Sequence, residues 1–412
     1  MSTVVIGTFN VANFPEGGGH FWVYMQYVQG FLRQGCDVYW LEEFASSGDA
    51  THDAQTLTRF AKRMERFGLK GKTILYKTSK GGSGGVPERT YIGIDETRAK
   101  SIFANTDLLL NFYYAMSPTM LALFRRTALV DIDPSLLQLW MSTGQIEVSQ
   151  HDYYCTTGET VGKPTALFPD CGISWINIRP AVALDLWPYS YKEDATAFTT
   201  ISGWWGDGGR GEFVTDYDEL VYENNKRVTF LQYVDLPQQT SQALELALNL
   251  GTEEIDEDEM EPTQLTPDGR PITDYRGDAV DRRKLLNHGW QIADPYAVAN
   301  SPAAYQKYIQ NSRGEFSCAK PSYIKFQSAW VSDRTICYLA SGKPVVVQNT
   351  GPSTYLPDGE GMFRFSTMAE AVDAIATINS NYEKHCKAAR EIAAAYFDAS
   401  KIAADILEGC GL

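Results

Sequence analysis

Small and basic residues near the C-terminus form a pattern that could bind an anion. Ser332-Asp333-Arg334 predicts the start of a helix with Ser332 as its cap, and Ala340-Ser341-Gly342 predicts the turn that follows. A buried strand comes next, and then a second glycine loop that begins at Thr350-Gly351. The N–H groups and the dipole of a helix N-terminus favour a phosphate. We therefore expect an anionic ligand at this stretch.

Basic side chains around the predicted helix could neutralise a diphosphate. Arg313, Lys320 and Arg334 lie close in sequence, and Arg334 is the strongest candidate because it falls in the first helical turn. Arg334 could instead form a salt bridge to Asp333 or Glu315. Glu315 could alternatively bind the hydroxyl pair of a ribose.

Two further pairs of residues could contribute to such a site. Trp330 and Tyr323 could stack on a nucleobase, although core packing is the commoner role of such side chains. Lys226 and Arg210 are additional basic candidates on predicted loops.

The N-terminal half contains a histidine that directly follows three glycines. Gly17-Gly18-Gly19-His20 lies where the loop after the first predicted strand becomes a helix. Glycines let the backbone approach a ligand closely, and a histidine can take a proton from a hydroxyl group. His20 is therefore a candidate general base, with Gly18 and Gly19 beside the ligand. Its alternative role is a hydrogen bond to its own loop.

Two aspartates could orient such a base. Asp131 and Asp133 end a predicted buried strand, so either carboxylate could hold the His20 ring. The same triplet matches a D-x-D pattern that can chelate a divalent metal, but Pro134 favours a turn-forming role. We expect no metal site and no bound cofactor.

Other nucleotide-binding patterns are incomplete. Gly17 to Trp22 lacks the third glycine of G-x-G-x-x-G, although Glu42 stands where a ribose-binding acid would be expected. An NAD enzyme is therefore a minor alternative. The sequence contains no G-x-x-x-x-G-K-[ST] loop, which leaves a P-loop kinase unsupported.

Composition narrows the class of protein. The 412 residues carry a formal net charge of −15, which disfavours nucleic acid as a partner without excluding one basic cleft. The seven cysteines are scattered and form no C-x-x-C pair. No apolar run is long enough for a membrane span, and the N-terminus enters a strand without a signal-peptide pattern, so we expect a cytoplasmic protein.

Apolar runs alternate with helical periodicity along the chain, which predicts an α/β protein with two doubly wound, Rossmann-like domains that face each other across a cleft. The first domain should span residues 1–175 and the second 196–380, with a proline-rich linker at 176–195. Residues 252–284 predict a mobile acidic insertion, and 381–412 a C-terminal helical segment. Within the second half we expect a strand at 227–233 and a helix at 240–250.

These residues together resemble a bacterial group of nucleotide-sugar transferase-like proteins of the GT-B architecture. The resemblance covers nearly the whole chain. The small-Gly-x-Pro-Val-Val turn at 341–346 is widespread among GT-B donor-binding domains, so the combination of all the marks is more telling than this turn alone. The other marks are Gly17-Gly18-Gly19-His20, His151 with Thr157-Gly158-Glu159, Gly314-Glu315-Phe316, Ala319-Lys320, Ser332-Asp333-Arg334 and Thr350-Gly351.

The resemblance implies a nucleotide-diphosphate sugar in the C-terminal domain, an acceptor in the N-terminal domain, and no metal requirement. Many retaining members carry a glutamate on the helix before the turn, but 335–339 here contains no acid. His20 stands where inverting members carry their base, so we expect inversion. A nucleotide-sugar epimerase and a non-catalytic nucleotide-sugar-binding protein remain alternatives, and the acceptor is open.

Overall fold

The computed structural model describes residues 1–79, 88–206, 212–250, 264–265, 271–272 and 278–412. The chain divides into two units, which are described separately. The first comprises Met1–Gly162, Pro169–Ala183 and Phe397–Leu412, and the second comprises Lys163–Phe168 and Leu184–Tyr396. Most of the predicted insertion at 252–284 lies outside the described residues.

The first unit contains eight strands and six helices within its described residues. Its strands are β1 (Thr3–Thr8), β2 (Asp37–Glu43), β3 (Thr73–Ser79), β4 (Glu88–Ile92), β5 (Leu108–Asn111), β6 (Thr127–Asp131), β7 (Tyr153–Thr156) and β8 (Trp175–Asn177). Five of its helices are α1 (Gly18–Arg33), α2 (Ala50–Arg66), α3 (Glu96–Ala104), α4 (Pro118–Leu121) and α5 (Leu136–Ser142), and the sixth follows the second unit.

The first sheet has the order β4-β3-β2-β1-β5-β6-β7-β8 and is parallel except for β4, which runs antiparallel to β3. β1 lies near the middle, and its residues Val4, Val5 and Ile6 are fully buried, as expected for a parallel strand covered on both faces. The order reverses between β1 and β5, which makes this the topological switch point of the sheet.

The second unit follows the same plan. Its strands are β9 (Ala197–Ile201), β10 (Phe213–Thr215), β11 (Val221–Glu223), β12 (Ala243–Ala247), β13 (Gln264–Leu265), β14 (Pro271–Ile272), β15 (Gln291–Ala293), β16 (Gly314–Ser317), β17 (Val345–Gln348) and β18 (Met362–Phe365). Its helices are α6 (Lys226–Gln232), α7 (Asp278–Asn287), α8 (Pro295–Ala299), α9 (Pro302–Asn311), α10 (Pro321–Phe326), α11 (Asp333–Ala340), α12 (Met368–Ser380) and α13 (Tyr382–Tyr396); α14 (Ala399–Gly409) returns to the first unit.

The main sheet of the second unit has the order β15-β12-β9-β16-β17-β18, and all its pairs are parallel. Its order reverses between β9 and β16. Both units therefore carry the predicted doubly wound sheet, which confirms the α/β fold class. No helix among the described residues combines the length and apolar character that a membrane span needs.

Two predictions for the second unit are wrong. Residues 227–233 were expected to form a strand because of Val228, Thr229 and Phe230, but they lie in or directly after α6. Residues 240–250 were expected to form a helix because of their alanines and leucines, but they contain β12, which is hydrogen bonded between β9 and β15. The crossover from β9 to a neighbouring parallel strand requires a helix followed by a strand, and this topology overrides local propensity.

The chain ends on the first unit, where α14 packs against α1. Gly30 of α1 makes this contact possible, since a Cβ at this position would lie 2.2 Å from the carbonyl oxygen of Ala399. Hydrogen bonds hold the entry to α14 in place: Ala399 N donates to Val182 O (2.9 Å), and Gln34 Nε2 donates to Ser400 O (2.8 Å).

We predict that Gly30→Ala lowers the thermal unfolding midpoint by a few degrees. Helix propensity alone would stabilise the variant by about 1 kcal/mol. The clash with Ala399 should outweigh this gain, because overpacking costs roughly 1–3 kcal/mol. Val23→Ala, at a partly exposed position of the same helix, is the control and should leave the midpoint almost unchanged. A higher midpoint for Gly30→Ala would contradict the proposed tight contact.

Candidate functional site

The switch point of the second sheet is the starting point for a binding site. Ligands of doubly wound proteins bind outside the carboxyl ends of the strands at the position where strand order reverses. Here those ends are Ile201 of β9 and Ser317 of β16. The helix that reaches this edge is α11, whose first N–H groups lie at its N-cap, Ser332.

Arg334 connects α11 to both strand ends. Its Nε donates to Glu315 Oε1 (2.7 Å), its Nη1 to Ile201 O (2.9 Å) and its Nη2 to Ser317 Oγ (2.6 Å). These three bonds use the fixed directions of a planar guanidinium. Ser332 Oγ accepts from the N–H of Arg334 (3.3 Å), which confirms the predicted cap.

Glu315 is the counter-ion of Arg334 rather than a surface residue. It is fully buried, and its Oε2 has no hydrogen-bond partner among the described residues. Burial lowers the pKa of Arg334, but the charge and hydrogen bond of Glu315, together with Tyr305 and Tyr338, outweigh burial and keep the pKa above its ordinary value. The predicted alternative, an Arg334–Glu315 salt bridge, is therefore confirmed. A direct ribose contact by Glu315 is wrong because the side chain has no exposed surface.

Two lysines complete the cationic side of the site. Lys320, directly before α10, forms an ion pair with Glu212. Lys226, the first residue of α6, has no side-chain hydrogen bond or ion pair within the part of the chain that the structure describes. Burial, followed by the charges of Arg334 and Lys320, lowers the pKa of Lys226 to about 7. Lys226 is therefore a partly buried cation that lacks an anion.

Lys226 was predicted to lie on a loop followed by a strand, so local patterns alone do not place it in a site. Its position at the start of the crossover helix after β9 becomes evident only from the topology. Arg210, the other basic candidate on a predicted loop, lies outside the described residues.

Arg334 lines a pocket of about 440 Å³ when the adjoining solvent is counted, whereas Lys226 and Lys320 are not among its lining residues. Trp330 lines it and stacks on Tyr323, with ring centroids 4.3 Å apart and planes within 4°. Tyr323 is buried, whereas Trp330 is partly exposed. The lining also includes Ser317, Ala319, Ser332, Arg334, Gln348, Gly351 and Arg364. Tyr323 is thus a core residue, and Trp330 is the aromatic side chain available to a ligand.

Gly351 has a packing role at the pocket wall. Its φ is +132°, and a Cβ there would lie 2.5 Å from the carbonyl oxygen of Gln327. The facing loop is held by Ala329 N, which donates to Thr350 O (2.8 Å), and by Thr350 Oγ1, which donates to Trp330 O (2.6 Å). A glycine at 351 therefore lets the two loops approach closely enough to form the wall.

Arg313 and Asp333 were predicted to bind the ligand, but neither lines the pocket. Arg313 precedes β16, so it lies at the amino end of the strand, away from the pocket. There its Nε donates to Asn379 Oδ1 (2.7 Å), and its guanidinium lies 3.9 Å from the ring centroid of Tyr382. The prediction that Arg313 binds the ligand is therefore wrong. Asp333 occupies the first turn of α11, where its charge suits the helix dipole, and it does not line the pocket.

In the first unit, His20 is the third residue of α1, directly after Gly18 and Gly19. Its Nε2 donates to the carbonyl oxygen of Phe9 (2.7 Å), which is the predicted alternative role, and its ring meets Tyr24 edge-on. A neutral ring that donates through Nε2 carries its basic lone pair on Nδ1. The loop bond and proton acceptance are therefore compatible.

The two aspartates differ in their surroundings. Asp131 is fully buried, and its carboxylate accepts from Gln138 Nε2 (2.9 Å), Thr156 Oγ1 (2.8 Å) and the N–H of Asp133 (3.0 Å). None of these partners is His20, so Asp131 does not orient that ring. Burial raises the pKa of Asp131 to about 7. Asp133 Oδ2 accepts from the Tyr114 hydroxyl (3.1 Å).

We predict strong coupling between Arg334 and Glu315 in a double-mutant cycle. Arg334→Met and Glu315→Met should each cost about 3–5 kcal/mol of unfolding free energy, since each leaves one buried charge uncompensated. The double variant should lose clearly less than the sum of these two values. Unfolding of the ligand-free protein measures all three variants. Single effects that add to within about 0.5 kcal/mol would show that the pair is uncoupled.

Comparisons with known proteins address the fold. No protein-family model matches the chain, and no curated protein matches its sequence. Solved structures match it over its full length. TarM has a TM-score of 0.58 at 10% identity, covering 100% of this chain and 99% of that chain.

Two further structures match with bound nucleotide. An alpha-glucosyltransferase in complex with UDP and a mismatched 13-mer DNA has a TM-score of 0.55 at 12% identity. The match covers 100% of this chain and 99% of the alpha-glucosyltransferase chain. HepE from Anabaena, in complex with UDP and glucose, has a TM-score of 0.53 at 10% identity. The match covers 99% of this chain and 98% of the HepE chain. Together with the two doubly wound sheets, these likenesses show that the chain has the GT-B fold of glycosyltransferases.

Proposed function

We propose that this protein is a glycosyltransferase that moves a sugar from a nucleotide-diphosphate donor to an acceptor hydroxyl. The observation that carries the proposal is Lys226, a cation without a partner in the described structure, at the switch point of the second sheet. A partly buried, unpaired ammonium is unfavourable in the free protein, and a bound anion would compensate it. Neighbours of the same fold hold UDP, which is a ligand of this kind.

The local charge balance supports a diphosphate. Glu315 neutralises Arg334, and Glu212 neutralises Lys320, so the charge of Lys226 remains. The N-terminus of α11, capped by Ser332, adds the partial positive charge of a helix dipole. In this proposal, side chains and the helix dipole stabilise the departing diphosphate, with Lys320 and Arg334 as second contributors.

The pocket offers places for the other parts of the donor. Trp330 presents a partly exposed ring, which could stack on the nucleobase while Tyr323 supports its other side. The loop that begins at Gly351 would meet the sugar. Arg364, whose Nη1 donates to Gly351 O (3.3 Å), holds that loop in its conformation.

For the chemical step we propose inversion with His20 as the base. Nδ1 of His20 would take the proton of the acceptor hydroxyl, whose oxygen then attacks the anomeric carbon as the bond to the diphosphate breaks. Of the two aspartates, Asp133 remains the candidate for orienting the ring, because Gln138 and Thr156 hold the carboxylate of Asp131. The helix before the 341–346 turn supports inversion: its only acid, Asp333, lies in its first turn.

We predict that UDP affinity falls as the pH rises from about 7 to 9. Lys226, with a pKa of about 7, is mostly neutral above that pH in the free protein, whereas an anion binds its charged form. Binding therefore takes up a proton, and the affinity should fall by up to roughly tenfold per pH unit. Titration calorimetry across this range measures the slope.

Two variants test the origin of this slope. Lys226→Met should bind UDP more weakly below pH 7 and should show a nearly flat pH profile. Lys307→Met, which removes an exposed lysine of α9, should behave like the unmodified protein. An unchanged slope in Lys226→Met would contradict the assignment of Lys226 as the phosphate-binding cation.

We predict that His20→Ala abolishes sugar transfer and leaves UDP affinity within about twofold. His20→Gln is the matched variant, because its amide can still donate to Phe9 O but cannot act as a base at neutral pH. Both variants should be inactive with any acceptor that the unmodified protein uses. Restored transfer in His20→Gln would reduce His20 to a structural role, and NMR of the product anomer would decide between inversion and retention.

A further inference from the structure

A second pocket lies at the switch point of the first sheet. The carboxyl ends of β1 and β5 meet there, and the pocket together with the adjoining open solvent comes to about 810 Å³. Six of its lining residues matter for its chemistry: Phe9, Asn10, Glu43, Ser46, Lys77 and Tyr113. By the rule for doubly wound sheets, this position is where a ligand of the first unit should bind.

The wall of this pocket contains an aromatic platform made of Phe9 and Tyr113. Their rings are stacked, with centroids 4.9 Å apart and an interplanar angle of 11°, yet Phe9 remains 49% exposed. Hydrogen bonds hold the backbone of both platform residues. His20 donates to Phe9 O, and the Asn111 side chain accepts from Tyr113 N (2.9 Å) and donates to Tyr113 O (3.0 Å). An exposed aromatic face on a fixed backbone is preorganised for a ligand.

The polar side chains beside the platform that have no partner in the described part of the chain are a carboxylate and an amide, and neither is a cation. The side chains of Glu43 and Asn10 form no hydrogen bond or ion pair within the described residues. Lys77 is engaged, since its Nζ pairs with Asp53 Oδ2 (3.3 Å) and lies 5.3 Å from the ring centroid of Phe44. A ligand of this pocket should therefore bring hydroxyl donors and no negative charge.

We propose that this pocket binds a neutral saccharide. One face of a pyranose ring is lined by C–H groups that pack on an aromatic ring, and its hydroxyls donate to a carboxylate such as Glu43 and exchange hydrogen bonds with an amide such as Asn10. An acceptor rich in phosphate would be repelled by Glu43, and a lipid chain would leave both polar groups unsatisfied. That the saccharide is the acceptor of transfer rests on the proposed function, whereas its binding does not.

The test uses the full chain and a panel of methyl glycosides and disaccharides of glucose, galactose, mannose and N-acetylglucosamine. We expect at least one of these glycosides to bind with a dissociation constant on the order of 1 mM. In saturation-transfer NMR, saturation of the protein's aromatic protons should transfer to the C–H face of the bound sugar. Phe9→Ala and Glu43→Ala should each weaken binding about tenfold. Tyr296→Ala, which removes an exposed aromatic ring of the second unit, should not affect it.

Several outcomes would overturn the inference: no binding across the panel, equal binding to folded Phe9→Ala, or binding of glycerol as strong as that of the glycosides. UDP binding, measured in the same samples, separates the two proposals. Glycoside binding without UDP binding would refute the donor site and retain this pocket. UDP binding without glycoside binding would refute this pocket and retain the donor site.

Discussion

The buried guanidinium of Arg334 is the interaction on which the second unit's site depends. It joins the first turn of α11 to the ends of β9 and β16, so one side chain determines the position of the helix N-terminus at the switch point. Glu315 makes this burial tolerable by supplying the opposite charge. Burial, followed by the positive charge of Arg334, lowers the pKa of Lys226. Arg334 thus positions the elements of the site and also makes the charged form of the neighbouring Lys226 less stable unless an anion binds.

Much of the fold could be predicted because its signals are local. Apolar runs such as Val4 to Ile6 and the Ser332 cap each depend on a few adjacent residues. Helix α6 and strand β12 could not be predicted in this way, because their local propensities favour the opposite structures. Parallel pairing of β12 with two neighbours decides its conformation, and such pairing is a property of distant segments.

The site shows the same division between local and distant causes. Ser332, Lys320 and Arg334 could be identified as a cap and nearby basic groups. The failure of Arg313 and Glu315 has a geometric cause: β16 places Arg313 at its amino end and directs Glu315 into the core towards Arg334. Sequence distance from Ser332 is similar for both, so spacing alone could not separate them. Lys226 could be assigned to the site only from the observed sheet topology, because its own segment carries no local signal.

The two switch points differ in the charge that they leave uncompensated. At the second sheet this is the ammonium of Lys226, and at the first sheet it is the carboxylate of Glu43 beside an aromatic platform. Under the proposed function, a local positive site in a chain with a net charge of −15 would direct a diphosphate to one unit, and Glu43 would disfavour its binding to the other. If both proposals hold, two sheets of the same plan discriminate between an anionic donor and a neutral hydroxylic partner through a few unpaired side chains.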